Sequence, residues 1–348
     1  MKKILYIASI LLFAQSSFAQ GIDPQFSGYY AQPLQMNPAL TGNMESKWRA
    51  TVSFREQDYV IAQPYISGMG SFDINLPINA WAGNIWGFGI NYVYDDQGDA
   101  RIRNNRMNVS ASVGQFLDPR QEHSLSVGFM GGIGTRSINY DNVYWDSQWF
   151  GTGFALFIDP GETLPAEARS YFDLSTGVQY SYQGDITKAN VGYAMFHANT
   201  PDNSLYIDTN EFQLERRHTV HGMLESRFTE NNMFALRPSF MFTRQGKINN
   251  LIFGSDFVFY FNEPTRTTGK RKEYSMSLGV HHRLLKDVVG SISFNLAGFY
   301  FGTLYDISVS PLSELNGYQG AYEVFIGYRA GFRSGSNSRY MPHRKGKL

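Results

Sequence analysis

The feature that most constrains this chain is a period of two that keeps returning. Met107, Val109, Ala111 and Val113 alternate with Asn108, Ser110, Ser112 and Gly114. Leu125, Val127, Phe129 and Gly131 alternate with Ser124, Ser126, Gly128 and Met130. Phe88, Ile90, Tyr92 and Tyr94 carry the same pattern, as do Ile292, Phe294 and Leu296. Successive side chains of a strand point to opposite faces, so each segment has one apolar face and one small or polar face. Fourteen such segments are expected, at 47–56, 65–76, 85–95, 105–117, 122–136, 169–182, 189–198, 214–228, 233–244, 250–262, 273–285, 288–296, 299–309 and 320–332. Most are near the roughly 10 residues that cross an outer membrane at a tilt. An even number suits a closed sheet with both termini on one side, here expected to be periplasmic.

Two all-β architectures fit such a pattern, a sandwich and a membrane barrel. The polar faces carry Arg49, Arg55, Asp73, Asn91, Arg237, Asp256, Asn295 and Asp306 in mid-strand. On a sandwich these would be the solvated face over an apolar core. In a barrel they pair inside while Phe and Leu face lipid. The number of strands favours an all-β transmembrane antiparallel β-barrel of about 14 strands. Arg49, Arg55, Asp73, Arg237, Asp256 and Asp306 then form a lumen network, since opposite charges buried together satisfy each other. The connections also sort as a barrel requires. Counted from a periplasmic N-terminus, the even-numbered ones are mostly short, among them DPRQ, GDITKA and TENN. The odd-numbered ones include the long stretches 137–168 and 199–213, with Lys286-Asp287 as a short exception.

The two ends differ from the middle. Lys2 and Lys3, the apolar run Ile4 to Ala14 and the small residues Ser17 and Ala19 read as a signal peptide over 1–19. Residues 20–46 hold several prolines and no usable period, and are expected as an irregular segment packed on or in the barrel of 47–332. Residues 333–348, with Arg333, Arg339, Arg344, Lys345, Lys347 and no acid, read as a basic periplasmic tail. Lys+Arg and Asp+Glu both number 30, which leaves no electrostatic footprint for nucleic acid. No HExxH, GxSxG or P-loop occurs, so no catalytic residue, metal ligand or cofactor is expected. An outer-membrane protease or lipase with dispersed Asp, His and Ser is the enzymatic alternative. His197 reads as a packed or hydrogen-bonded lumen residue rather than a ligand.

Asp23-Pro24-Gln25-Phe26-Ser27, Tyr30, Pro33 and Asn37-Pro38-Ala39-Leu40-Thr41-Gly42 resemble the opening of the PorP/SprF family of type IX secretion system membrane proteins. Further matches are Tyr171-Phe172-Asp173 with Gly177, His197-Ala198-Asn199-Thr200-Pro201, Tyr305-Asp306 with Ser308, and Glu323 with Tyr328. Gly28, Thr303-Leu304 and Tyr322 depart from the family pattern. The resemblance implies an outer-membrane component of type IX secretion or gliding. Its partner would be a secreted adhesin or other cargo, held at the surface by its C-terminal signal domain. A second implied role links the outer membrane, and its lipid, to periplasmic motor-ring or peptidoglycan-binding proteins. A passive outer-membrane transporter is the rival from another class.

The stretch 137–168 is rich in aromatics, and Tyr144, Trp145, Trp149, Phe150 and Phe154 are the candidate partner-binding residues. The bland alternative is a lid folded over the barrel mouth. Either use is expected to bury these rings.

Overall fold

The computed structural model describes residues 23–59, 63–77, 84–98, 100–140, 143–155, 157–159, 161, 166–184, 186–205, 213–227, 233–262, 274–311, 313–314 and 317–330. The signal peptide, the basic tail and the connection 263–273 lie outside these residues.

Fourteen strands close into one barrel. They are β1 (Trp48–Gln57), β2 (Tyr65–Pro77), β3 (Asn84–Gln97), β4 (Ile102–Phe116), β5 (His123–Ser137), β6 (Ala168–Gln183) and β7 (Thr187–Phe196). There follow β8 (Arg217–Arg227), β9 (Phe234–Gln245), β10 (Ile248–Asn262), β11 (Tyr274–Arg283), β12 (Asp287–Leu296), β13 (Phe299–Ser308) and β14 (Gln319–Ala330). Each pairs antiparallel with its neighbours in sequence, and β1 closes on β14 from Trp48↔Ala330 to Gln57↔Ala321. No helix of the described residues is long and apolar enough to cross a membrane; the strands do so.

The period of two is the inside–outside alternation of the wall. On β5, Phe129 is 64% exposed and its neighbour Met130 only 5%. Val52, Phe72, Ile90, Val109, Ile133 and Ile326 likewise face outward. Closure pairs every strand with both of its neighbours, so the paired backbone can sit in hydrocarbon with its polar groups satisfied. The wall is uneven. β6 pairs with β7 only from Thr176, so its first residues rise above that neighbour. Their free edge is covered by the turn after β7. Leu174 N donates to Asn199 Oδ1 (3.0 Å), and Asn199 Nδ2 donates to the Phe172 carbonyl (2.7 Å). His197 and Thr200 take φ of 56° and 42° to make that turn.

Two expectations are corrected. The loop asymmetry is carried by the connections β5–β6, β7–β8 and β13–β14; at the same end Gly246-Lys247 is a tight turn too. The described chain also does not begin and end on one side. An even strand count does bring Trp48 and Ala330 together. Residues 23–47, however, run the length of the lumen before β1 starts. Asp23 lies at the long-loop end, beside Gln245, whereas Lys47 N bonds the Ala330 carbonyl at the other end.

Candidate functional site: a plugged lumen beneath an aromatic loop

Three prolines prevent residues 23–47 from donating as a strand and turn them into short coils instead. Tyr29–Ala31 and Pro38–Leu40 form 3-10 turns, and Pro33–Met36 makes one α-helical turn. Pro33 and Pro38 open their turns, where a missing N–H costs nothing. The Asn37 side chain caps the last turn, accepting from Ala39 N at 2.9 Å.

This segment plugs the barrel and is fastened at four levels. At the long-loop end Asp23 accepts from Arg106 Nη1 (2.7 Å), Arg217 Nη1 (2.9 Å) and His197 Nε2 (2.9 Å). His197 also meets Asp173 through Nδ1 at 2.9 Å. A carboxylate on each ring nitrogen favours the imidazolium, while Arg106 Nη1, 3.0 Å from the same Nε2, opposes it. Next, Glu323 accepts from Ser27 N (2.7 Å) and Gly28 N (2.9 Å), while Ser27 Oγ donates to Asp306 (2.7 Å). Arg55 binds Asp306 (2.7 Å) and Glu323 (3.3 Å), and Arg283 donates to Ser27 Oγ (2.6 Å). Midway, Gln32 bridges Ser53 and Ser71, Tyr29 OH donates to Ser239, and Asn37 Nδ2 donates to the Val178 carbonyl. Toward the other end Asp73 accepts from Arg49 (2.7 Å) and from Gly42 N (2.8 Å). A cavity of about 10 Å³ beside Asp23, Arg106, Tyr171 and Asn203 has room for roughly one water, and a second, of about 310 Å³, lies between β12, β13 and β14 against Phe294, Phe301, Thr303 and Phe325.

The six charged residues expected in the lumen all point inward, in three separate groups. Arg49 pairs with Asp73 and Arg55 with Asp306. Arg237 stands opposite Asp256 in the β9–β10 register, yet its ion pair is with Glu225 at 2.7 Å, which also accepts from Tyr260 OH. Sequence reasoning missed Glu225, Arg106, Arg217 and Arg283, and placed Glu323 in the family pattern but not in the lumen network. Each falls on the inward register of its strand, which is the signal that could have found them. Of the signature residues, Asp23, Asn37 and Gly42 make the polar anchors. Gln25 accepts from Arg283 (3.3 Å), and Pro24 lines the small cavity. Phe26 packs with Met69 and Val93, and Tyr30 with Phe325. Pro33, Pro38 and Ala39 are buried in the plug's turns.

The latch at Asp23 gives a pH prediction. Burial alone would raise the Asp23 pKa, but Arg106, His197 and Arg217 hold it well below the usual carboxylate range. Burial opposes charge on His197 as well, yet Asp23 and Asp173 push its pKa up. A lowered carboxylate contributes stability above its unfolded pKa and loses it as pH falls. A raised histidine contributes below its unfolded pKa and loses it as pH rises through the folded value. The latch is therefore tightest between roughly pH 4 and 6.5 and loosens on both sides. Protection of the amides of residues 23–28, taken relative to their intrinsic exchange rates at each pH, is expected to be greatest near pH 5.5 and smaller at pH 3 and pH 9, as order-of-magnitude settings about those limits. An acid limb unchanged in Asp23→Asn would show that the latch is not the cause.

Above the plug, β5 and β6 lift the long connection. Trp149 and Phe154 form an isolated antiparallel bridge, with rings 5.1 Å apart and edge to face. Tyr144 packs on Phe154 at 4.9 Å, and Trp145 lies half-buried near Tyr140. The rings are exposed in the free chain, as a lid would not leave them. Tyr144 is 53%, Trp149 51%, Phe150 76% and Phe154 47% exposed. They pack on one another instead.

The family model described as type IX secretion system membrane protein PorP/SprF matches residues 18–328. No curated protein matches the chain. The toluene transporter TbuX of Ralstonia pickettii is similar in structure, with a TM-score of 0.53 and 12% identity over 92% of this chain and 97% of that one. A Pseudomonas aeruginosa FadL homologue gives 0.47 and 9%, covering 85% and 93%. At 12% identity the TbuX likeness is one of fold, that of an outer-membrane β-barrel.

Proposed function

The chain belongs to the PorP/SprF family of type IX secretion system membrane proteins, and from that premise we propose that it anchors a secreted protein at the cell surface through its long loops. The observation that carries this reading is the exposed aromatic cluster of Tyr144, Trp149, Phe150 and Phe154 above a filled lumen. Large rings exposed together mark a contact surface, and aromatics supply area at small entropic cost. In this reading the long loops face outward and the cargo docks through its C-terminal domain. The plug acts as a stopper and a brace, keeping the barrel rigid beneath the contact.

A transporter such as TbuX needs a path for solute. The plug, fastened to the wall from Asp23 to Gly42, obstructs that path, which favours anchoring. A link to the periplasmic motor ring or peptidoglycan draws support from the bases at 333–348. Replacing 143–155 with a Gly-Ser linker separates these readings. Barrel insertion and heat resistance are expected to persist, while a secreted protein disappears from the cell surface and from pull-downs. Unchanged surface proteins would move the function to the opposite end of the barrel.

A further inference from the structure

The long loops share a second property, which is their charge. The stretch 137–168 contains Asp141, Asp146, Asp159, Glu162 and Glu167 and no Lys or Arg. The stretch 199–213 contains Asp202, Asp208 and Glu211, again without Lys or Arg. The segments at the other end are mixed: Asp118, Arg120 and Glu122 fall in one connection, Asp185 and Glu230 in two others, and the bases concentrate in two stretches. Residues 263–273 carry Arg266, Lys270, Arg271 and Lys272 against two glutamates, and the bases of 333–348 face no acid. The chain is neutral in sum, so the acidity of these two stretches is local and not an excess; Arg101, Arg216, Lys247 and Lys286 belong to other segments at the same end.

Part of the acidity is neutralised within the fold, since Asp202 binds Arg169 at 2.6 Å. Asp146, Asp159 and Glu167 are exposed, and none has an ion pair among the described residues. Asp146 and Asp159 flank the exposed rings of Trp149, Phe150 and Phe154 in sequence, and Glu167 stands at the foot of the same loop, where its carbonyl accepts from Ile138 N. The cluster also stands clear of the hydrocarbon. The outward apolar series of β5 and β6 ends at Ile133 and Phe172, and Thr135, Ser137 and Ser170 follow on the same faces.

We propose that the surface held by these loops is cationic: a basic face of a secreted protein domain, whose apolar groups seat among the rings while its Lys and Arg side chains meet the acidic rim. This deepens the anchoring reading and rests on it. Rim charges act mainly on encounter and on choice of partner. Salt screens them over about 8 Å at physiological strength. Rings that lose water at the centre of a contact govern how long it lasts. The same rim repels acidic domains and anionic headgroups, and so selects as well as attracts.

The full chain in phosphatidylethanolamine nanodiscs tests this with two probes, a positively and a negatively supercharged fluorescent β-barrel protein. The cationic probe is expected to associate, with a rate that falls about tenfold or more from low to high salt. Asp146→Lys/Asp159→Lys/Glu167→Lys should abolish that association, and Trp149→Ala/Phe150→Ala should leave the rate but hasten release. In cells the triple reversal should release the same surface proteins as replacement of 143–155. Equal binding of both probes, or binding indifferent to salt and to the reversal, overturns the proposal. So does adsorption of calcium-loaded anionic vesicles that the reversal abolishes while the cationic probe does not bind, which would assign the acids to a lipid surface. If replacing 143–155 strips proteins from cells but no charge dependence is found, anchoring stands and the cationic partner falls. If that replacement strips nothing, anchoring fails and this inference fails with it.

Discussion

Arg55→Ala is expected to cost the folded barrel about 3–5 kcal/mol, the usual cost of removing one partner from a buried ion pair. Arg55 is 3% exposed and holds two carboxylates, Asp306 at 2.7 Å and Glu323 at 3.3 Å. Without it the nearby cation is Arg283, 3.7 Å from Asp306 and already donating to Ser27 Oγ. Two carboxylates would then share one guanidinium where solvent cannot reach them. The effect passes into the plug, because Glu323 receives Ser27 N and Gly28 N and Asp306 receives Ser27 Oγ. Loss of heat resistance on a gel, by on the order of 10 °C, should coincide with protease access to the residues before Ser27. Adding Asp306→Asn to Arg55→Ala should recover part of the loss by removing the surplus charge. A variant that melts with the wild type would mean that water reaches this hub and screens it.

The wall of this barrel is legible in the sequence because each outward residue meets lipid and each inward one meets polar groups. Met107, Val109, Phe129 and Ile133 declare their face without help from any neighbour. Strand ends are less legible, since they depend on turns. β7 was expected to reach 198 but stops at Phe196, where His197 turns the chain to cover the edge of β6. The lumen partners are harder still. Alternation turns Arg237 inward, but both Glu225 on β8 and Asp256 on β10 flank β9, and only the packed geometry selects Glu225. The path of the plug was not legible at all. Its prolines rule out a strand, yet its direction is set by contacts such as Ser27 N to Glu323, 296 residues apart. The exposure of Phe150 escaped for a related reason: a loop has no period, so nothing in its sequence tells an exposed ring from a buried one.

The plug is held as much by missing side chains as by hydrogen bonds, and Gly87→Val/Gly128→Val is expected to expel its lower half. A Cβ on Gly87 would stand 2.0 Å from the Thr41 carbonyl oxygen, and one on Gly128 would stand 2.3 Å from the Pro38 carbonyl. One on Gly177 would stand 2.0 Å from Asn37 Oδ1. These glycines lie on β3, β5 and β6 and form a trough into which the turn Pro38–Leu40 fits. Backbone atoms on both sides cannot yield as a flexible side chain would, so the segment must lift out or the wall must widen. The space it leaves is lined by Ser71, Ser110, Ser112 and Ser126, which water wets readily. The wild-type barrel should therefore be silent in planar bilayers, and the double variant should conduct ions while residues 37–42 become open to protease. Gly70→Val is the control, because a Cβ there meets nothing within 4 Å. Should the double variant fail to insert, Gly128→Ala places the same Cβ against Pro38 with less added bulk. If it inserts yet stays silent, with 37–42 protected, the wall has widened around the plug, and the trough governs the shape of the barrel and not the seating of its stopper.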